Sequence, residues 1–243
     1  MKQIVIYTLG AYLIAVIAAG LFQRSLLYIP SHEDPQTPLK PWIVQGHQIG
    51  YRSEVQNPQG VWLMLHGNAG QASNRDYALP SLPAQSSLYI LEYPGYGSRP
   101  GSPSMVSINT AAKEAYEILK QQHAEVAVLG ESIGSGPAAY LATLPHPPSR
   151  IVLVTPFDTL ANTAAEHMPW LPVRLILRDK WDNIQALKNY KGPIDIFAAA
   201  NDEVIPKHLA KNLASRIPAA KLHEIPGGHN DWSAGAKVRI NGR

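Results

Sequence analysis

The 243-residue chain contains no cysteine. This excludes disulfides, thiolate metal sites, a cysteine nucleophile and a lipidated-cysteine anchor. It leaves the compartment open, because a cysteine-free chain tolerates oxidising and reducing sides alike. Charge is sparse as well: 16% of residues are charged, the net charge is +3, and Lys and Arg form no long run. Nucleic-acid binding needs a concentrated basic patch and is not expected. The sequence has no His-Glu-x-x-His pair, no phosphate-binding P-loop and no dinucleotide fingerprint behind a strand, so no metal or other cofactor is expected. Internal repeats are missing. The 21 prolines fall between elements and read as rigid turns, not as a low-complexity tract.

What is present suffices for a core: 45% of residues are hydrophobic, and about 220 residues beyond the N-terminus suit one α/β domain. Residues 4–22 carry no charge. As a helix they would span about 28 Å, close to the ~30 Å hydrocarbon thickness of a bilayer. Ala18, Ala19 and Gly20 offer small residues at the spacing a signal peptidase uses. The apolar run nonetheless exceeds the usual ~7–15-residue signal core. A retained, single-pass transmembrane helix over residues 1–24 is therefore expected, followed by one domain over 25–243. Lys2 on one side and Arg24 and Lys40 on the other are nearly balanced, and the domain is placed on the non-cytoplasmic side. Residues 30–41, with Pro30, Pro35, Pro38 and Pro41, read as an extended linker.

Along the domain, short apolar runs alternate with helical patterns, the signature of βαβ units and a mostly parallel sheet. Strands are expected at 43–51, 61–65, 88–91, 126–129, 151–154, 194–199 and 222–225. Helices are expected at 72–77, 107–122, from Ser132 to Leu144, and at 207–216. The polar, glycine-rich segments fall at the C-terminal ends of the strands, where open parallel sheets bind ligands.

Gly130-Glu131-Ser132-Ile133-Gly134 fits the G-x-S-x-G elbow, in which flanking glycines permit a sharp strand-to-helix turn with the serine at its tip. A serine hydroxyl is a weak nucleophile and needs a base, itself oriented by a third group. His229 follows the last strand and is the expected base, with His66 as rival. Asp202 follows the 194–199 strand and is the expected orienting carboxylate, with Glu203 and Asp231 as alternatives. The order Ser, Asp, His is that of one fold class in particular. The backbone N–H groups of Ile133 and Asn68 are the expected oxyanion donors. Ser135 is a neighbouring decoy, placed inside the helix.

Together, Leu65-His66-Gly67-Asn68-Ala69-Gly70, Tyr93-Pro94-Gly95-Tyr96-Gly97-Ser98, the Ser132 elbow, Asn201-Asp202-Glu203-Val204-Ile205-Pro206 and Gly228-His229-Asn230-Asp231 resemble the α/β-hydrolase superfamily. The likeness is strongest to small, N-terminally anchored ABHD-type hydrolases, whose anchor is followed by a segment like 22–30 here. It implies an α/β-hydrolase fold: a mostly parallel sheet flanked by helices, with a short lid. Relatives often carry His-Gly where this chain has Ala198-Ala199, which predicts a looser Asp202 loop. Only residues 230–243 follow His229, so any last helix should be short.

Residues 157–182, with Met168, Trp170, Leu171, Leu175, Ile176, Leu177 and Trp181, are the expected lid and could form an apolar wall. The expected activity is hydrolysis of carboxylic esters or thioesters through an acyl-enzyme, on an apolar acyl substrate near a membrane. The alternatives are an amidase or peptidase of the same fold, or a non-catalytic scaffold with the same architecture.

Overall fold

The computed structural model describes residues 1–34, 36–234 and 237–240. Pro35 of the expected linker and Gly235 and Ala236 of the C-terminal tail lie outside the described residues. Helix α1 (Lys2–Leu27) is long and apolar enough to cross a membrane. It runs beyond the 4–22 apolar stretch and ends at Tyr28, whose extended backbone stops it.

The strands are β1 (Lys40–Val44), β2 (His47–Ser53), β3 (Gly60–Leu65), β4 (Ser86–Leu91), β5 (Ala127–Glu131), β6 (Ile151–Val154), β7 (Ile194–Ala199) and β8 (Ala220–Ile225). They form one sheet in the order β1-β2-β4-β3-β5-β6-β7-β8. β1, β2 and β4 pair antiparallel, and every pair from β4 onward is parallel. The central strands read as unbroken apolar runs because both faces are covered. On β3, Val61, Leu63 and Leu65 face one core layer, while Trp62 and Met64 face the other, as the two-residue period of a strand requires.

Helices α2 (Met105–Gln122), α3 (Ser135–Leu141) and α7 (Lys207–Arg216) pack on the first face. In α2 the residues Ile108, Ala112, Ala115 and Leu119 form the buried stripe, and Ser104 caps the helix by accepting from the Ser107 N–H at 3.0 Å. The other face is covered by a 3₁₀ segment (Ala72–Ser81) and by the tail residues Trp232, Val238 and Ile240. Between β6 and β7 lie α4 (Leu160–His167), α5 (Val173–Ile176) and α6 (Asn183–Leu187).

Four expectations are corrected. The 43–51 strand is two strands. Gln45 and Gly46 both take positive φ, 49° and 81°, and reverse the chain in a two-residue hairpin. The apolar residues on either side of that turn concealed it. The 72–77 helix is 3₁₀ and kinks at Arg75. The helix expected to reach Leu144 is 3₁₀ over Ser132–Gly134 and α-helical only from Ser135 to Leu141. The 30–41 linker is not free at either end. Pro30 bridges to Gly70, Ser31 N–H donates to Gly70 O at 2.9 Å, and Leu39 is buried.

Candidate active site

β5 delivers Ser132 through a sharp turn. Ser132 has φ 51°, a left-handed conformation that a side chain adopts only where its surroundings enforce it. Close approach does the enforcing. A methyl group on Gly134 would overlap the Leu65 carbonyl, and one on Gly130 would lie 2.7 Å from Ala138 Cβ. The Ile133 N–H lies in the opening turn of the helix, where no preceding turn supplies an acceptor.

The loop after β7 places Asp202. Its Oδ1 accepts from the N–H groups of Val204 (2.9 Å) and Ile205 (2.7 Å). The loop that Ala198-Ala199 was expected to loosen is thus tied by its own carboxylate, whose side chain is 1% exposed. The loop after β8 places His229. Its Nδ1 lies 2.8 Å from Asp202 Oδ2 and 3.0 Å from Oδ1, and its Nε2 lies 2.8 Å from Ser132 Oγ. A carboxylate can only accept, so Nδ1 carries the proton and the Nε2 lone pair faces the hydroxyl. Three loops from three strand ends therefore bring Ser132, His229 and Asp202 into one hydrogen-bonded chain. Of the alternatives, Asp231 accepts from the Gly228 N–H at 2.8 Å and shapes the His229 loop. Glu203 is exposed.

His66 is built into the core. Nδ1 donates to Gly67 O at 2.7 Å and the ring stacks on Tyr93 at 4.1 Å. Ser135 is buried and accepts from Asn183 Nδ2 at 3.0 Å.

Asn68 lies on the loop after β3. Among the described residues its backbone N–H donates to no protein acceptor. Its side chain has a role the sequence did not disclose. Oδ1 accepts from Tyr96 Oη–H at 2.9 Å and from the Ile29 N–H at 3.2 Å, and Nδ2 donates to Leu27 O. The loop is thereby fastened to the end of α1.

Glu131, the variable residue before the serine, was also missed. Its buried carboxylate accepts from Gly67 N–H (2.9 Å), Tyr77 Oη–H (2.7 Å) and Trp232 Nε1–H (2.8 Å). These donors belong to the Asn68 loop, the 3₁₀ segment and the His229 loop. Burial opposes its charge, but Arg75 and the three donors outweigh burial and hold the Glu131 carboxyl below its ordinary range. Burial pushes the Tyr77 phenol up, so it stays a donor. Trp232 follows His229 by three residues, so this buried bond ties down the His229 loop, after which any last helix was expected to be short.

An apolar cleft of about 310 Å³ runs beside these loops, bounded by Asn68, Leu160, Met168, Leu171, Ile176 and Val204. From the 157–182 segment, Met168, Leu171, Ile176 and Leu177 line it. Trp181 turns into the core and donates to Asn109 Oδ1 at 3.0 Å, while Trp170 and Leu175 are exposed. Among the described residues, no group of three or more His, Asp or Glu could hold a metal ion.

No family model matches the chain. An uncharacterized protein of Mycobacterium tuberculosis, Rv2307c, is 31% identical over 245 residues, covering 90% of this chain and 86% of that protein. The alpha/beta hydrolase domain-containing protein WAV2 of Arabidopsis thaliana is 24% identical, covering 96% of this chain and 90% of its own length. The Pyrococcus furiosus esterase Pf2001 superposes with a TM-score of 0.63 at 14% identity, covering 84% of this chain and 90% of that one.

The chain belongs to the α/β-hydrolase superfamily. Within the superfamily it is also similar to the mouse lysophosphatidylserine lipase ABHD12, at 26% identity over 68% of this chain. It spans about half of that longer protein, 47%. The chain has an eight-stranded mixed sheet with α1 before it.

Proposed function

We propose that this α/β-hydrolase is a membrane-tethered serine hydrolase of carboxylic esters or thioesters, with Ser132 as nucleophile, His229 as general base and Asp202 as the group that orients it. The observation that carries the reading is the unbroken chain from Ser132 Oγ through His229 to Asp202, at 2.8 Å on each side of the imidazole. In this reading Oγ attacks the acyl carbonyl carbon while Nε2 takes the hydroxyl proton. Asp202 stabilises the imidazolium that results. The negative charge on the former carbonyl oxygen is met by the backbone N–H groups of Asn68 and Ile133, each worth roughly 3–4 kcal/mol at the transition state. The imidazolium then returns its proton to the departing alkoxide or thiolate, leaving an acyl ester on Ser132. Water, deprotonated by the same Nε2, attacks that ester, and the carboxylic acid departs as Oγ regains its proton.

The substrate class rests on two supports. One is the apolar cleft beside Asn68. The other is the likeness to an esterase and to a protein named as a lipase. In domain terms, α1 is the single-pass anchor, the remainder is the hydrolase domain, and residues 157–182 are its short lid.

Labelling with a fluorophosphonate tests the reading. The wild type should be labelled and Ser132→Ala should not. Equal labelling of the two would remove Ser132 as the nucleophile.

A further inference from the structure

The apolar cleft is not made by the domain alone. Ala19, Gln23, Leu26 and Leu27 of α1 form one wall, facing Met168, Leu171 and Ile176. Asn68 and Val204 also line the cleft. Asn68 carries an oxyanion N–H, and the Val204 N–H holds Asp202.

Polar bonds fix α1 to this wall at defined points. Gln23 Nε2 donates to Ile176 O at 2.9 Å, and the Arg178 N–H donates to Gln23 Oε1 at 2.6 Å. Arg24 grips the buried Asp179 carboxylate with two bonds of 3.1 Å, and Tyr28 Oη–H adds a third at 2.9 Å. Farther up the helix, Tyr12 Oη–H donates to Trp170 O at 3.0 Å.

These contacts set a depth. From Gln23 back to Tyr12 the helix rises about 16 Å, and the 157–182 segment accompanies it over that length. Between the charge of Lys2 and Tyr12 α1 rises only about 15 Å, roughly half of the ~30 Å hydrocarbon core. With α1 inserted, the segment enters the near leaflet. Of the side chains it presents there, Trp170 (57% exposed) and Leu175 (82%) suit lipid, and the exposed Arg174 between them bonds Asn162 Oδ1 at 3.0 Å.

We infer that the cleft takes a single acyl chain directly from the near leaflet, with α1 serving as a wall of the acyl site as well as an anchor. The inference rests on the reading of Ser132 as nucleophile, since that residue gives the bound chain its reacting end. The cleft volume, about 310 Å³, lies at the lower end of the range for small-molecule sites, which suits one chain of medium length.

The test uses the full chain in phosphatidylcholine vesicles with p-nitrophenyl acetate and p-nitrophenyl decanoate. Ala19→Trp on α1 and Ala164→Trp on α4 each place an indole in the cleft. Each should lower the decanoate-to-acetate ratio of kcat/KM at least tenfold. Leu13→Trp, on an exposed face of α1 outside the cleft, should leave the ratio where it is. An unchanged ratio in Ala19→Trp, or an equal fall in Leu13→Trp, overturns the inference. Depth is read separately, from tryptophan quenching by brominated-chain phosphatidylcholine. Quenching that drops in Trp170→Phe supports insertion, and quenching identical in both proteins overturns it. Fluorophosphonate labelling of the same samples separates the two readings. Ser132-dependent labelling with a flat chain-length ratio removes the cleft alone, whereas labelling that survives Ser132→Ala removes the nucleophile.

Discussion

Two histidine–aspartate pairs sit on the same sheet at the same distance. His229 Nδ1 meets Asp202 Oδ2 at 2.8 Å, and His223 Nε2 meets Asp195 Oδ1 at 2.8 Å. Their surroundings differ. His229 rises from the C-terminal edge of the strands, its side chain is 9% exposed, and its second nitrogen faces Ser132. His223 lies within β8, is 42% exposed and stacks on Phe197. The Asp195 carboxylate is already engaged by Arg150 at 2.6 Å. The paired carboxylate is therefore not what distinguishes a site. A base becomes useful when its free lone pair meets a hydroxyl held at a helix N-terminus, beside unspent backbone N–H groups. The other pair, lacking these, is an ion-pair network that ties β7, β8 and the start of β6.

The hardest test of that contrast exchanges the two histidines. His229→Ala should lower kcat for a p-nitrophenyl ester by roughly 10⁴-fold or more, as removal of a triad base does elsewhere. His223→Ala should change it by less than about twofold, the range of a substitution that touches no reacting group. Comparable losses in both variants would mean that the distinction is not chemical.

A smaller effect is expected at Glu131, which is buried next to Ser132. All three of its partners are donors. In Glu131→Gln the amide NH₂ must face at least one of them, and Arg75 loses its countercharge. A stability loss of about 1–3 kcal/mol follows from the unmet bond, with a further drop in kcat as the Asn68 and His229 loops loosen. The folded carboxyl titrates below its unfolded value of about 4.3. Its contribution is thus complete above that pH and is lost as pH falls through the folded value. Urea unfolding between pH 3 and 7 should show a steeper acid decline in the wild type than in Glu131→Gln. Parallel curves would show that the charge is not what holds the loops.

The residues of the candidate site are legible in the sequence because each is marked by its local pattern. The elbow needs glycines two residues either side of a serine, and Asp202 and His229 each follow an apolar strand within a few residues. The supporting structure was not legible, because it is made across the chain. Glu131 draws donors from Gly67, Tyr77 and Trp232, and Arg24 reaches Asp179 from the far end of the sequence. In the 157–182 segment the apolar residues are too dense for periodicity to separate those lining the cleft from those facing outward, so Met168 and Trp170 read alike. The fold shows the same division. Strands 151–154 and 194–199 match their apolar runs, whereas the β1–β2 turn needed φ values that no hydrophobic pattern records.

The smallest expected effect belongs to the second pair, and it completes the comparison. Burial raises the pKa of Asp195, but the hydrogen bonds from Arg150 and His223 more than offset this, so the carboxyl titrates below its ordinary value. A depressed folded pKa gives stability that is complete above the unfolded value of about 3.9 and is lost as pH falls through the folded one. Asp195→Asn should therefore cost about 1 kcal/mol at pH 7, in keeping with a partly exposed ion pair. The deficit should shrink below pH 4, where the wild-type carboxyl takes up its proton. Ester turnover, normalised to folded protein, should not change. A variant that loses turnover while folded would show that the two edges of the sheet are coupled and that the Asp195 pair belongs to the site after all.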